Sequence, residues 1–135
     1  MRQFRTRILL SSGVLALLGA CSTVSSITGS GTAYPVFFEA WSASLDASGH
    51  DAIDNAAAYA KSHPGLPVVV SGYAGPDGSA QANVDISRLR AQVVTDELVK
   101  DGVAADRISR KAEGAEAFTQ NATESRRVTI TVGSP

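Results

Sequence analysis

Gly72-Tyr73-Ala74-Gly75-Pro76-Asp77-Gly78, followed by Asn83-x-x-Ile86-Ser87-x-x-Arg90-Ala91, is the stretch that decides the fold of this chain. Before it, Leu66 to Ser71 reads as a strand, and its unbroken Val68-Val69-Val70 suggests burial on both faces. Gly75-Pro76-Asp77-Gly78 is a turn signal, because Pro presets φ and Gly tolerates positive φ. Beyond the turn, Ile86, Ala91, Val94 and Leu98 recur at helical spacing, and Leu89 and Val93 widen the stripe. The helix runs from about Asn83 to Lys100 and carries Arg90 inward, and Gly102 after Asp101 ends it.

Working outward, Tyr34 to Glu39 (Tyr-Pro-Val-Phe-Phe-Glu) is a first strand, apolar and aromatic enough to be central. Asp46 is an N-cap for a helix over about 47–62 whose apolar face is small: Ile53, Ala56, Ala57 and Ala60. His63-Pro64-Gly65 stops it, since the residue before Pro is disfavoured in helix. Ile108 to Ala112 is a weak third strand and Arg127 to Val132 a strong last one. The order β-α-β-α-β-β, with short links, predicts an α/β sandwich: one mixed sheet with helices packed on one face.

The N-terminal segment has a different character. Arg2, Arg5 and Arg7 precede an apolar run from Ile8 to Leu18, and Leu18-Gly19-Ala20-Cys21 follows. Basic start, apolar core and small-residue cleavage site describe an export signal over residues 1–20. The apolar run is too short to span a bilayer comfortably. Cys21, the only cysteine of the 135 residues, excludes an internal disulfide. Residues 22–33 are rich in Ser, Thr and Gly and read as a tether reaching on the order of 20 Å. Residues 34–135 then form one domain. Three of the 12 basic residues lie in the export segment, so the remainder, with all 13 acidic residues, is net acidic. That balance excludes nucleic acid as an expected partner.

The loop and helix together resemble the signature of the OmpA-like peptidoglycan-binding domain, G-H-T-D-x-x-G followed by N-x-x-L-S-x-x-R-A. Asn83, Ser87, Arg90 and Ala91 match in order and spacing, as do Pro64-Gly65, Gly102-Val103 and Arg126-Arg127-Val128 elsewhere. The likeness covers residues 35–132 and implies an OmpA-like fold. Leu18 to Cys21 resembles the bacterial lipobox, which implies acylation of Cys21. Several acyl chains hold a soluble domain on a membrane where one holds it only marginally. With Ser22 next, the resemblance implies a lipid-anchored outer-membrane protein whose domain lies in the periplasm.

In that family the ligand is the diaminopimelate side chain of the peptidoglycan stem peptide, which ends in an amine and a carboxylate. The resemblance assigns Arg90 to the carboxylate, which a guanidinium can grip by two parallel hydrogen bonds. The other reading of Arg90 is a surface arginine paired with an acid such as Asp85. The family aspartate, which takes the amine, falls on Gly75, and the family His on Tyr73. Asp77 either shapes its turn or replaces the missing carboxylate. Tyr73 either donates its hydroxyl to the ligand or packs. Arg126 and Arg127 point to opposite faces by strand alternation, with Arg126 taken as the inner one. The ligand-binding candidates are therefore Arg90, Asp77, Arg126, Tyr73 and Asn83.

The implied function is non-covalent binding of peptidoglycan that ties the envelope together. Envelope proteins are further partners, and no cofactor or metal is expected. The alternative is an envelope scaffold or assembly module that kept the fold and lost peptidoglycan binding. Catalysis is not expected. His50 and His63 stand about three and a half turns apart on one helix and cannot share a metal, and no nucleophile elbow or phosphate loop is present. Asn121-Ala122-Thr123 matches a glycosylation sequon, which is uninformative in a bacterial lipoprotein.

Overall fold

A computed structural model describes residues 31–116 and 122–134; Cys21, most of the expected tether and Asn121 lie outside the described residues. The elements are β1 (Thr32–Phe37), α1 (Ala47–Ser62), β2 (Val68–Ala74), α2 (Ala80–Lys100), a 3-10 turn (Ala105–Arg107), β3 (Ile108–Ala115), a single helical turn α3 (Ala122–Ser125) and β4 (Arg127–Val132). The strands form one sheet in the order β1-β4-β2-β3. β4 runs antiparallel to both neighbours, and β2 and β3 are parallel. The expected mixed sheet with helices on one face is present.

Local chemistry explains the helices. Asp46 caps α1: its carboxylate accepts from Gly49 N at 2.7 Å, and Gly49 N would otherwise be an unpaired helical donor. Ile53, Ala56, Ala57 and Ala60 are buried, as their spacing predicts, against Val36, Val68, Val70, Val128 and Ile130 of the sheet. α2 starts at Ala80, three residues before the sequence-based boundary, because Ser79 caps it through Ala82 N at 3.1 Å. Gly102 takes φ +97° after the last turn, a conformation that costs glycine nothing.

The helix signature has structural meaning at two more positions. Ser87 is fully buried; its hydroxyl donates to Val84 O at 2.8 Å and accepts from Gly114 N at 3.1 Å, tying α2 to β3. Opposite it, a Cβ on Gly72 would overlap the Ser87 carbonyl, so only glycine lets β2 approach α2 this closely.

The structure corrects four expectations. β1 is an edge strand, paired only with β4. Pro35 lacks an N–H, which suits an edge, and Phe37 stays exposed on the helix-free face. β1 also begins at Thr32, inside the expected tether, because Thr32 and Ala33 pair with Val132 and Thr131. β2 alternates buried and half-buried residues, so Val69 faces the uncovered side of the sheet. Leu89 is 52 % exposed and lies outside the core-facing stripe of α2.

Candidate functional site

The C-terminal end of β2, the N-terminal part of α2 and the segment after β1 meet around one open cleft. Its walls include Trp41, Gly75, Asp77, Asn83, Arg90 and Arg126. Four of the five sequence-derived candidates are therefore brought together: Asp77, Asn83, Arg90 and Arg126. The fifth is not. The Tyr73 ring lies beneath the guanidinium of Arg127, 4.4 Å from its Cζ, and only the Tyr73 carbonyl turns toward Arg90. Tyr73 alternates with Gly72 and Ala74 along β2, so its side chain belongs to the uncovered face of the sheet.

Arg90 is 1 % exposed. Its Nε donates to Ser42 O at 2.7 Å, Nη2 to Glu39 O at 2.9 Å and Nη1 to Tyr73 O at 3.2 Å. The Phe38 ring lies 5.3 Å from its Cζ. It does not pair with Asp85, which engages Arg88 instead. Among the described residues no carboxylate lies within ion-pair distance of Arg90. Burial and the neighbouring Arg126 push its guanidinium down to about 10, so it remains charged at neutral pH. Three of five N–H groups are taken, which leaves one on each Nη. A buried cation held by neutral carbonyls, with a second cation beside it, is a favourable place for an anion.

Arg126 reaches the same cleft from the residue before β4. Its Nε donates to Phe38 O at 3.1 Å and its Nη1 to Ala122 O at 3.0 Å. By alternation Arg127 falls on the opposite face, where it pairs with Glu116.

Asn83 is 2 % exposed, and its carboxamide has no hydrogen-bond partner among the described residues. Asn83 lines the cleft, where its carboxamide is open to a ligand. Asp77 is exposed at the cleft edge. The capping task on this loop belongs to Ser79, and the Asp77 carboxylate makes no hydrogen bond or ion pair with any described residue.

Sequence reasoning missed Trp41. Ser42 N donates to Glu39 O at 3.2 Å, closing a four-residue turn in which Trp41 occupies the third position at φ 54°. A turn with positive φ there ordinarily selects Gly or Asn, and a bulky residue so placed costs on the order of 1–3 kcal/mol. Trp41 is nonetheless 57 % exposed. Its indole edge lies on Gly78, where an added Cβ would stand 2.5 Å from Cη2. Glu39-Ala40-Trp41-Ser42 contains none of the usual turn residues, so the only signal at this position was that it holds the sole Trp of the chain. The two ends of this turn, Glu39 O and Ser42 O, are the carbonyls that Arg90 holds.

The lining of the cleft thus includes two guanidiniums, an amide, a carboxylate and an indole. Among the described residues no group of His, Cys, Asp and Glu is arranged to hold a metal.

The OmpA family model matches residues 37–130. The chain is similar to the peptidoglycan-binding protein ArfA of Mycobacterium tuberculosis, 32 % identical over 120 residues, which covers 84 % of this chain and 37 % of that protein. The match to ArfA of Mycobacterium bovis has the same extent. The chain therefore spans little more than a third of the length of these relatives. Among solved structures, the peptidoglycan-associated lipoprotein from Burkholderia pseudomallei superposes with a TM-score of 0.67 at 21 % identity, over 73 % of this chain and 89 % of that one. The OmpA-like domain of FopA1 from Francisella tularensis gives 0.64 at 24 % identity, over 76 % and 72 %. At these identities the likeness is one of fold.

Proposed function

The chain belongs to the OmpA family, and from that premise we propose that its domain binds peptidoglycan non-covalently through the cleft between β2, α2 and Arg126. The observation that carries the proposal is the buried, charged Arg90, which has no carboxylate of its own and lines an open cleft next to Arg126 and the unpaired Asn83 amide. In this reading the diaminopimelate carboxylate meets Arg90, Arg126 and Asn83, and its amine meets Asp77. The likeness to peptidoglycan-binding proteins of Mycobacterium supports peptidoglycan as the polymer.

The finer part of the proposal is anchorage: Cys21 carries the lipid, and the protein is a tether between outer membrane and cell wall rather than an enzyme. It rests on the lipobox-like Leu18 to Cys21. Among the described residues no helix is long and apolar enough to cross a membrane.

Two observations favour a second reading, an envelope scaffold without peptidoglycan binding. Gly75 offers no side chain where the family carries Asp, and Arg90 already spends three N–H groups on its own backbone. Cosedimentation of the Ser22–Pro135 chain with purified sacculi separates the two. Binding that Asp77→Ala weakens at least several-fold supports the tether; a parent chain that stays in the supernatant supports the scaffold. Arg90→Ala is a poor probe, because it also releases the 39–42 turn. Asp77→Ala removes a side chain that holds nothing else in the described fold.

A further inference from the structure

Building on the peptidoglycan reading, we infer that Trp41 and Asp77 together form a seat for an alkylammonium group, so that the cleft as a whole takes a zwitterion. Trp41 thereby supplies, with Asp77, the cation-binding half of the site that Gly75 does not.

Three observations converge on it. First, the turn that presents Trp41 would accept glycine without strain, yet it carries the largest side chain at φ 54°. Backbone strain of this kind persists where the surroundings over-determine it, and it collects at ligand sites. Burial does not explain the choice, since more than half of the side chain is exposed. Second, the indole is held in place: it rests on Gly78, whose φ of +95° and lack of Cβ make room for it. Gly78 directly follows Asp77, and Trp41 and Asp77 both line the cleft. Third, Arg90 and Arg126 make the rest of the cleft cationic. An ammonium is repelled by them and attracted by Asp77, the one carboxylate among the lining residues, which orients a ligand that carries both charges. Indole is the strongest of the aromatic faces for a cation, and a carboxylate beside it adds the hydrogen-bond acceptor that a π face lacks.

The experiment uses the Ser22–Pro135 chain with Trp41→Gly, Trp41→Phe and Asp77→Asn. The probes are the L-alanyl-γ-D-glutamyl-meso-diaminopimelate tripeptide and the same peptide acetylated on its side-chain amine, each titrated calorimetrically. Trp41→Gly is expected to weaken the free-amine peptide by roughly two- to thirty-fold, and Trp41→Phe by less. The acetylated peptide is expected to bind weakly and equally to parent and Trp41→Gly. The thermal midpoint of Trp41→Gly should stay within a few degrees of the parent, which separates binding from folding. Equal losses for both peptides, or no loss at all, overturn the ammonium seat. A parent that binds sacculi but not the tripeptide also overturns it, and moves peptidoglycan binding away from this cleft. A parent that binds neither ends both.

Discussion

Nη2 of Arg90 donates to the carbonyl of Glu39 at 2.9 Å, joining the middle of α2 to the turn after β1 across 51 residues of sequence. The same guanidinium holds Ser42 O and Tyr73 O. Arg90 is therefore a clamp that shapes the cleft as well as a charge that lines it. Arg90→Met removes three donors at once from part-buried carbonyls and loosens the 39–42 turn, so it should destabilise the fold by about 3 kcal/mol. Thermal unfolding should show a fall of roughly 10 °C or more. A midpoint unchanged within about 2–3 °C would mean that the turn holds itself.

Gly75 tests the other half of the cleft. A Cβ there would stand 3.7 Å from Cγ of Arg126, ordinary contact, and the backbone is not in the left-handed region. Gly75→Asp should therefore fold normally and add a carboxylate at the family position. Affinity for the diaminopimelate tripeptide is expected to rise by roughly ten-fold, the worth of one added charged hydrogen bond. Titration calorimetry checks it, and unchanged affinity would show that Asp77 and Trp41 already fill that role or that the ammonium lies elsewhere.

Asp101 gives a pH-dependent prediction. It ends α2, one Oδ atom is buried without a partner, and burial together with Asp54 pushes its carboxyl above the usual range. An acid whose pKa is raised by folding holds its proton more tightly in the folded state. Stability from this group is thus present at low pH and declines as pH rises past the ordinary carboxylate range. A negative charge at a helix C-terminus adds to the penalty. Asp101→Asn should raise the thermal midpoint by a few degrees at pH 7, with the gain vanishing near pH 3 (below ordinary carboxylate pKa values). A gain that does not depend on pH would assign the effect to packing.

Cys21 tests anchorage. In a Gram-negative host, the full-length chain should take up labelled fatty acid and fractionate with outer membrane, and Cys21→Ser should do neither. Label incorporated into Cys21→Ser would remove the lipobox reading.

Much of this was legible locally. The small apolar face of α1, the Asp46 cap, the Gly102 stop and the β-α-β-α-β-β order follow from periodicity and caps that depend on near neighbours. The edge position of β1 was not, because aromatic content reports burial and says little about which strand is outermost; Pro35 was the usable signal. The start of α2 was misjudged because the Asn83 motif drew the boundary, whereas Ser79 satisfies the first donors. Arg90's three carbonyls and Trp41's positive φ are tertiary facts. Their partners lie 17 to 51 residues away, or arise from a turn that Arg90 itself holds, and no local pattern announces them.

The most direct test is competition. The Ser22–Pro135 chain is cosedimented with purified sacculi, with increasing diaminopimelate tripeptide added. The expected result is a chain that pellets with the sacculi and is displaced as the tripeptide rises, with Asp77→Asn displaced at lower occupancy from the start. A chain that remains in the supernatant, or one that pellets and ignores the tripeptide, would contradict the assignment of this cleft as the peptidoglycan site.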